Sequence, residues 1–458
     1  MGPGTVIVGG GISGLSCAWY LAKGGIASTL IEARPRLGGV IQTERVDGCV
    51  IEAGPDSFLS VKPAALDLIR ELGLADQVIG SNDHLRKTYV WKHGRLVALP
   101  DGLMMMIPTR ILPIVTTPLV SWPTKIRMGL ELFRSPRNGH SDIDQSVADF
   151  VSSHYGHEAV DYLAEPLLSG IYGGSPQELS VRSVLPRFVE LESKYGSLTK
   201  GVLAERKRAP ASSNAAPLFR TLKGGLGEMV DALRAGLAGK VDVLHKRADA
   251  VERAGDGFRV RVDGDWLPAD RVVLACEAHR AAELVPDARL SELLAGVLYG
   301  SSMTVALGFR HTDFPKPLDG FGFLVPKRER RRLVACTWVG TKFPHRTPEG
   351  QVLLRCFLGG TADAGVLNET DDAVIATVLE DLHRIVGFSA RPGFARIFRW
   401  PRSMAQYAVG HQQRMVEVRE RLAATPGLYL AGNAYEGIGI PDCIRTGKQA
   451  AATILRNS

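Results

Sequence analysis

The 458-residue sequence predicts an α/β fold of two or three domains, with a βαβ unit at the N-terminus and a helical stretch in the middle. Three observations carry it. A strand, a glycine cluster, a helix and a second strand follow one another between Thr5 and Ile31. From about Lys87 to Arg208 that alternation stops, and helical and loop patterns take over. From about Leu222 strands and helices alternate again, ending in a last strand and helix at the C-terminus. A chain of this length needs two or three cores.

Thr5-Val6-Ile7-Val8 is apolar or β-branched throughout, as a buried strand requires. Ile12 to Lys23 carries Leu15, Ala18, Trp19 and Ala22 at helical spacing, and Ser28 to Ile31 reads as the second strand of a βαβ unit. The apolar stretch from Leu103 to Pro123 is interrupted by Arg110 and by Pro108, Pro113 and Pro118, so it falls short of a spanning helix. It reads either as an apolar patch lying on the surface or as a packed loop. Arg206 to Pro217 reads as an exposed loop. Leu222-Lys223-Gly224-Gly225-Leu226 leads into a helix to about Leu237, and strands follow at Val241–Leu244, Phe258–Val262 and Arg271–Ala275. No internal repeat is visible.

With 45% hydrophobic and 22% charged residues the chain is an ordinary globular one. Its net charge of +7 reads as a solvated surface, and no basic stretch with interleaved aromatics points to nucleic acid. The six cysteines form no Cys-x-x-Cys pair, which points to a reducing compartment and no structural metal. The first strand begins too early for a secretory leader. The expected location is the cytoplasm, or the cytoplasmic face of the inner membrane as a peripheral protein. A homodimer is compatible with the sequence. No Ser/His/Asp set or metal-ligand cluster singles out a catalytic side chain.

The chemistry lies in the glycines. Gly9-Gly10-Gly11-Ile12-Ser13-Gly14 satisfies G-x-G-x-x-G in its confirming context, after a strand and at the start of a helix, with Glu32 closing the second strand. Gly9 allows the tight turn, Gly11 lets backbone N–H groups reach a pyrophosphate, and Gly14 lets helix and strand pack closely. Glu32 can accept from ribose hydroxyls, with Ala33 beside it. Arg34-Pro35-Arg36-Leu37-Gly38-Gly39 brings a second bare stretch of backbone to the same diphosphate, with Arg36 to offset its charge. Near the C-terminus, Leu428 to Ala434 reads as a strand ending at Gly432-Asn433, and Gly437-Ile438-Gly439-Ile440 turns into the final helix.

These elements resemble the FAD family of amine oxidases, phytoene desaturases and protoporphyrinogen oxidases: the Arg-x-Gly-Gly step, then Gly54-Pro55-Asp56-Ser57-Phe58, and the closing segment from Asn433 to Arg445. Strings in the middle of the chain narrow the resemblance to the oxygen-dependent protoporphyrinogen oxidase family. They are Leu168 to Ser175, Asp319 to Pro326, Phe357 to Gly360, Arg399 to Pro401, Gln406-Tyr407 and Gly410-His411. The resemblance implies FAD as cofactor, bound by a Rossmann-like domain of residues 1–85, 215–280 and 395–458. It implies a mixed-sheet substrate domain at 281–394 and a helical, membrane-associated domain at 86–214. It implies that Val251 meets the adenine through its backbone and that Trp400 packs at the flavin edge. It places a tetrapyrrole against Leu324, Thr337 and Phe357, with Gly170, Tyr172 and Gly174 at the pocket floor and Lys87 or Arg86 on a propionate. Lys327 to Arg332 reads as a solvated loop.

The implied reaction removes six electrons from protoporphyrinogen IX in three flavin turnovers, with O₂ as acceptor and H₂O₂ as product. Coproporphyrinogen III is the nearest alternative substrate. A non-catalytic protein-binding relative of the GDP-dissociation-inhibitor type is the alternative of another class.

Overall fold

Every residue of the strand Thr5–Val8 is buried, the condition for an interior strand of a parallel sheet. It lies at the centre of a five-stranded sheet in the order Val241–Leu244, Ser28–Ile31, Thr5–Val8, Arg271–Leu274, Leu428–Leu430, with each pair parallel. The winding reverses at Thr5–Val8, so the loop after Val8 opens at the switch point where such sheets leave a crevice. The helix Ile12–Lys23 buries Leu15, Ala18 and Leu21 in a core shared with Leu233 and with Ile444 and Ile454 of the last helix, Ile440–Arg456. An antiparallel sheet of Ala248–Ala254, Gly257–Val262 and Asp265–Ala269 branches from this sheet.

The computed structural model describes residues 4–136, 143–208, 216–314 and 317–458. The chain divides into two compact units. The first gathers Met1–Ser81, Ala216–Leu298 and Gln413–Ser458, and the second Asn82–Ala215 and Tyr299–Gln412. The helical stretch and the mixed sheet fall in one unit. Residues 281–298 join the first unit, and 395–412 join the second.

The second unit is built on a seven-stranded mixed sheet, ordered Phe394–Gln406, Leu298–Arg310, Gln351–Gly360, Ala335–Trp338, Gly322–Leu324, Thr88–Lys92, Arg95–Ala98. Two of these strands lie in the stretch expected to be helical. Thr88–Lys92 and Arg95–Ala98 form a hairpin whose turn residues, His93 and Gly94, both have positive φ, 47° and 78°. That is the turn whose twist suits a two-residue hairpin. The β-branched and aromatic run Thr88-Tyr89-Val90-Trp91 is the strand signal that the surrounding helical pattern obscured. Trp400, expected with the flavin domain, stands in the edge strand Phe394–Gln406 and so belongs to the second unit.

Helices Val147–Tyr155, Glu165–Tyr172, Pro186–Tyr195 and Leu198–Arg208 follow. The last of these corrects the expected loop at 206–217: Arg206–Arg208 end a helix, and 209–215 lie outside the described residues. The buried carboxylate of Glu131 joins the helices, lying 3.0 Å from His154 Nδ1 and accepting from Ser197 Oγ at 2.8 Å and Leu198 N at 2.6 Å.

The apolar stretch 103–123 resolves into short strands at Leu103–Met104 and Ile107–Pro108 and a helix at Ile111–Thr116, and a second helix, Trp122–Leu130, follows. Trp122, Ile126 and Leu130, spaced by helical turns, are 62%, 60% and 63% exposed, and Phe133 is 82% exposed. Thr124 and Met128 point inward. The stripe is thus an outward-facing apolar surface, and Ile111 and Leu112 of the preceding helix are exposed as well. Among the described residues no helix is long and apolar enough to cross a membrane.

Glu158 holds the start of this helix. Its carboxylate accepts from Ser121 N (2.8 Å), Ser121 Oγ (2.5 Å), Thr124 Oγ1 (2.7 Å) and Lys92 Nζ (3.1 Å). Burial alone would raise its pKa, but these donors outweigh burial and bring it down to about 2. A carboxylate depressed in the folded state contributes stability that is complete above its unfolded pKa and lost as pH falls through the folded value. Glu158→Gln is therefore expected to melt several degrees below wild type at neutral pH. Thermal melts should show the two proteins converging between about pH 4.5 and about pH 2. A constant difference across that window would mean that the ionised form does not hold the helix.

Candidate functional site

The glycine cradle is a set of backbone contacts that side chains would destroy. A Cβ on Gly14 would lie 1.9 Å from the carbonyl oxygen of Gly9, and one on Gly9, at φ 112°, would lie 2.7 Å from the Ala275 carbonyl. The helix begins at Ile12 with Gly11 as N-cap, no side-chain cap and no acidic residue in its first turn. Its first N–H groups and its dipole are arranged for an anion. Gly11 forms an isolated parallel bridge with Gly38, and Gly38 N donates to Gly10 O at 2.8 Å. Two bare backbone segments therefore meet beside the helix start.

Side chains around the cradle mostly hold the protein's own backbone. Glu32 accepts from Gly10 N at 2.7 Å and from Arg34 N at 2.8 Å, so its carboxylate fixes the loop and is placed beside it. The Arg36 guanidinium donates to the carbonyls of Leu37 (3.1 Å), Ile41 (3.0 Å) and Gly39. Its donors shape the Gly38-Gly39 turn. Ala33 follows Glu32 directly. The hairpin Thr43–Val46 and Cys49–Glu52 delivers Gly54-Pro55-Asp56-Ser57, and Ser57 Oγ donates to Asp56 Oδ1 at 2.6 Å. A Cβ at Gly54 would lie 2.1 Å from Val40 O.

The closing segment joins the same unit. Gly432 N donates to Thr446 Oγ1 at 3.1 Å, which positions Asn433 after the strand. Gly437-Ile438-Gly439-Ile440 turns into the last helix, where Asp442 accepts from Gly439 N at 3.3 Å. A Cβ on Gly447 would lie 2.2 Å from Ser13 O, so the last helix rests directly on the first turn of the glycine helix. Val251 is buried in the edge strand of the three-stranded sheet, paired with Val260.

Two groups here escaped the sequence reading. Glu52 is fully buried and accepts from Leu226 N (2.7 Å) and Thr43 Oγ1 (2.8 Å), tying the hairpin to the turn before helix Gly227–Leu237. Lys62 pairs with Asp442 at 2.6 Å, joining segments 380 residues apart. No local pattern announces either, since each depends on a partner distant in sequence.

In the second unit, strand register decides which residues share a face. Leu324 pairs with Ala335 and Ala335 with Phe357, while Thr337 pairs with Gly322 and Arg355. Leu324, Thr337 and Phe357 therefore project from one face. Gly170 joins them, since a Cβ there would lie 3.3 Å from Leu324 Cδ2. The helix carrying it ends at Gly173, whose carbonyl accepts from Thr361 N at 2.9 Å, next to Gly359-Gly360. Tyr172 O accepts from Gln406 Nε2 at 2.7 Å, and Gly174 leaves room for the Gln406 amide. The strings from Leu168, Phe357 and Gln406 thus converge.

Lys87 does not join them. Its ammonium lies 2.9 Å from Asp319, whose other oxygen accepts from Tyr89 OH at 2.8 Å. Tyr89 packs with Trp338 on the opposite face of the sheet, so strand alternation carries Lys87 away from the Leu324 wall. Arg86 is exposed after the turn Asp83–Leu85. Lys327 to Arg332 is a loop with Lys327, Arg328 and Arg331 exposed, as expected, but two of its arginines are anchored. Arg330 pairs with Glu165 at 3.0 Å, both nearly buried, and Lys327 N donates to the same carboxylate. Arg332 pairs with Asp363 at 2.9 Å.

The cradle fits a dinucleotide diphosphate: it combines close bare backbone, an uncapped helix start and a nearby carboxylate for ribose hydroxyls. Gly14→Ala is expected to destabilise the protein by about 1–3 kcal/mol and to weaken FAD retention about tenfold, equivalent to about 1.4 kcal/mol. Denaturant unfolding and flavin absorbance after gel filtration read both. Gly129→Ala, where an added methyl meets nothing within 4 Å and lies in a helix, should leave FAD retention unchanged and not lower stability.

The family model for flavin containing amine oxidoreductase matches residues 12–455. The chain is 37% identical to a coproporphyrinogen III oxidase of Bacillus subtilis, covering 98% of this chain and 97% of that protein. It is 30% identical to the protoporphyrinogen oxidase of Bos taurus, over 99% of each. A solved structure from Exiguobacterium sp. 255-15, named as a candidate protoporphyrinogen oxidase, superposes with a TM-score of 0.89 at 32% identity over 100% of both chains. The chain belongs to the flavin-containing amine oxidoreductase family, and its cofactor is FAD.

Proposed function

We infer that this flavoprotein oxidises a porphyrinogen to the corresponding porphyrin, with coproporphyrinogen III as the better-supported substrate. The reading is carried by Leu324 and Phe357, which share one sheet face with Thr337 and have Gly170 beside them, an arrangement suited to a broad flat macrocycle. The substrate choice follows the Bacillus subtilis relative, the more similar of the two curated proteins described above. Protoporphyrinogen IX, the substrate expected from the sequence, is the second reading, supported by the bovine relative.

Bound FAD supplies the hydride acceptor for three successive two-electron oxidations, with O₂ as final acceptor and H₂O₂ as product. A porphyrinogen is electron-rich and already a good hydride donor, so the protein's task is to orient it. Alignment of reacting partners is worth about 7–11 kcal/mol in favourable cases. Leu324 and Phe357 would hold the ring by apolar contact, and Gly170 would let it approach the helix backbone. Lys87, paired with Asp319 on the face opposite Leu324, is not used in this reading.

Anaerobic mixing of the holoenzyme with each porphyrinogen tests the reading through loss of oxidised-flavin absorbance. Faster bleaching by coproporphyrinogen III is expected. Equal or faster bleaching by protoporphyrinogen IX would reverse the substrate choice, and no bleaching by either would end the porphyrinogen reading.

The exposed stripe of Trp122, Ile126, Leu130 and Phe133, with Lys125 4.6 Å above the Trp122 ring, supports a peripheral contact with an anionic membrane surface. Ile126→Ser with Leu130→Ser should reduce cosedimentation with phosphatidylglycerol-containing vesicles several-fold while leaving FAD content unchanged. Undiminished cosedimentation would remove the stripe from that role.

A further inference from the structure

Cys336 and Cys356 stand directly opposite one another on adjacent antiparallel strands, with their sulfurs 3.7 Å apart. Both are buried and both are free thiols. Their relation follows from the ladder on the far side of Cys336. Val325 N donates to Val334 O, and Trp338 N donates to Phe321 O, each at 2.9 Å. These two bonds flank the Phe323–Cys336 pair by two residues on either side, so Cys336 directs its own N–H and C=O toward Phe323. Toward Cys356 it is therefore in a non-hydrogen-bonded pair, where Cα atoms stand about 4.5 Å apart and side chains are closest. A disulfide accepts Cα separations of about 4.4–6.8 Å and needs sulfurs about 2.0 Å apart. The backbone is already in position, and the remaining approach is a small side-chain adjustment.

We propose that Cys336 and Cys356 are a peroxide-convertible pair that closes to a cross-strand disulfide within the substrate sheet. Hydrogen peroxide oxidises one thiol to a sulfenic acid and is reduced to water. The second thiol then attacks that sulfur, forming the S–S bond and releasing a second water, so two thiols lose two hydrogens to one peroxide. Burial pushes Cys336 well above the ordinary thiol range, as it pushes Cys17, Cys276 and Cys443 up to about 12. Thiolate character therefore does not distinguish these sites, and the first step is slow at each. The distinction lies in the second step, because only a sulfenic acid at Cys336 or Cys356 forms with a thiol already opposite it.

The disulfide would join strands whose other face carries Thr337 and Phe357, two of the three wall residues. Residues 337–355 become a closed loop, and the wall is fixed in its present register. Peroxide released by the proposed oxidation would then act on the sheet that binds the substrate. The cross-link itself does not depend on that reading, because the test supplies the oxidant.

The holoprotein is incubated with hydrogen peroxide, denatured, alkylated with N-ethylmaleimide, digested and mapped by mass spectrometry. Oxidation of half-exposed Met105 reports that peroxide has acted. The expected product is one peptide pair joined through Cys336 and Cys356, which dithiothreitol returns to two alkylatable thiols. Cys17, Cys49, Cys276 and Cys443 should be recovered alkylated, and Cys356→Ser should give no joined pair. Two results overturn the proposal once Met105 is oxidised: both cysteines recovered as thiols, or each recovered as a separate sulfinic or sulfonic acid. Either would leave the flavin-bleaching experiment unaffected, so the two readings fail separately.

Discussion

A methyl group at Gly14 would sit 1.9 Å from the carbonyl oxygen of Gly9, and most of the first unit depends on that space staying empty. Because it is empty, the helix Ile12–Lys23 can press its first turn onto the end of the central strand. Its N–H groups then emerge at the one place where the winding of the sheet reverses. Gly447 repeats the device from the other end of the chain, where a side chain would meet Ser13 O at 2.2 Å. Three layers of backbone are thus stacked with no side chain between them. An anion bound there meets main-chain dipoles that need no rearrangement.

The buried and half-buried acids of this protein mostly serve the scaffold. Glu52 caps a helix start and holds Thr43, Glu158 holds Ser121 and Thr124, and Glu131 gathers His154, Ser197 and the first N–H groups of helix Leu198–Arg208. Each carboxylate is removed from water but receives several donors, which is how a buried charge is tolerated. The donors to Glu131 likewise outweigh burial and hold its pKa below the ordinary carboxylate value.

What the sequence made legible tracks how local each determinant is. The glycine fingerprint, Glu32 and the last helix are short-range patterns whose meaning survives without the partner strand, and the structure places them in one unit. The hairpin at Thr88–Ala98 was hidden because its turn, His93-Gly94, lacks the Asn-Gly or Asp-Gly signature, although it adopts the same positive φ values. The resemblance puts Trp400 in the flavin domain with the closing segment, but its strand hydrogen-bonds into the other sheet. Lys87 illustrates a subtler limit of sequence. A position next to a strand has a side as well as a location, and the side became known only through Tyr89 and Asp319.

The same alternation that removes Lys87 from the wall explains how one sheet can carry two unrelated chemistries. Thr337 and Phe357 face one way, and Cys336 and Cys356, one residue away on the same two strands, face the other. The second set lies in a core with Phe323, Trp338, Leu354 and Leu358, closed to solvent in the resting protein. A change at the sulfurs cannot touch a ligand on the wall directly. It can act only through the backbone they share, by restraining how far two neighbouring strands shift or separate. Close-packed interiors transmit such restraint because they have few voids to absorb it. The wall's geometry is therefore set by the core behind it as much as by the side chains that line it.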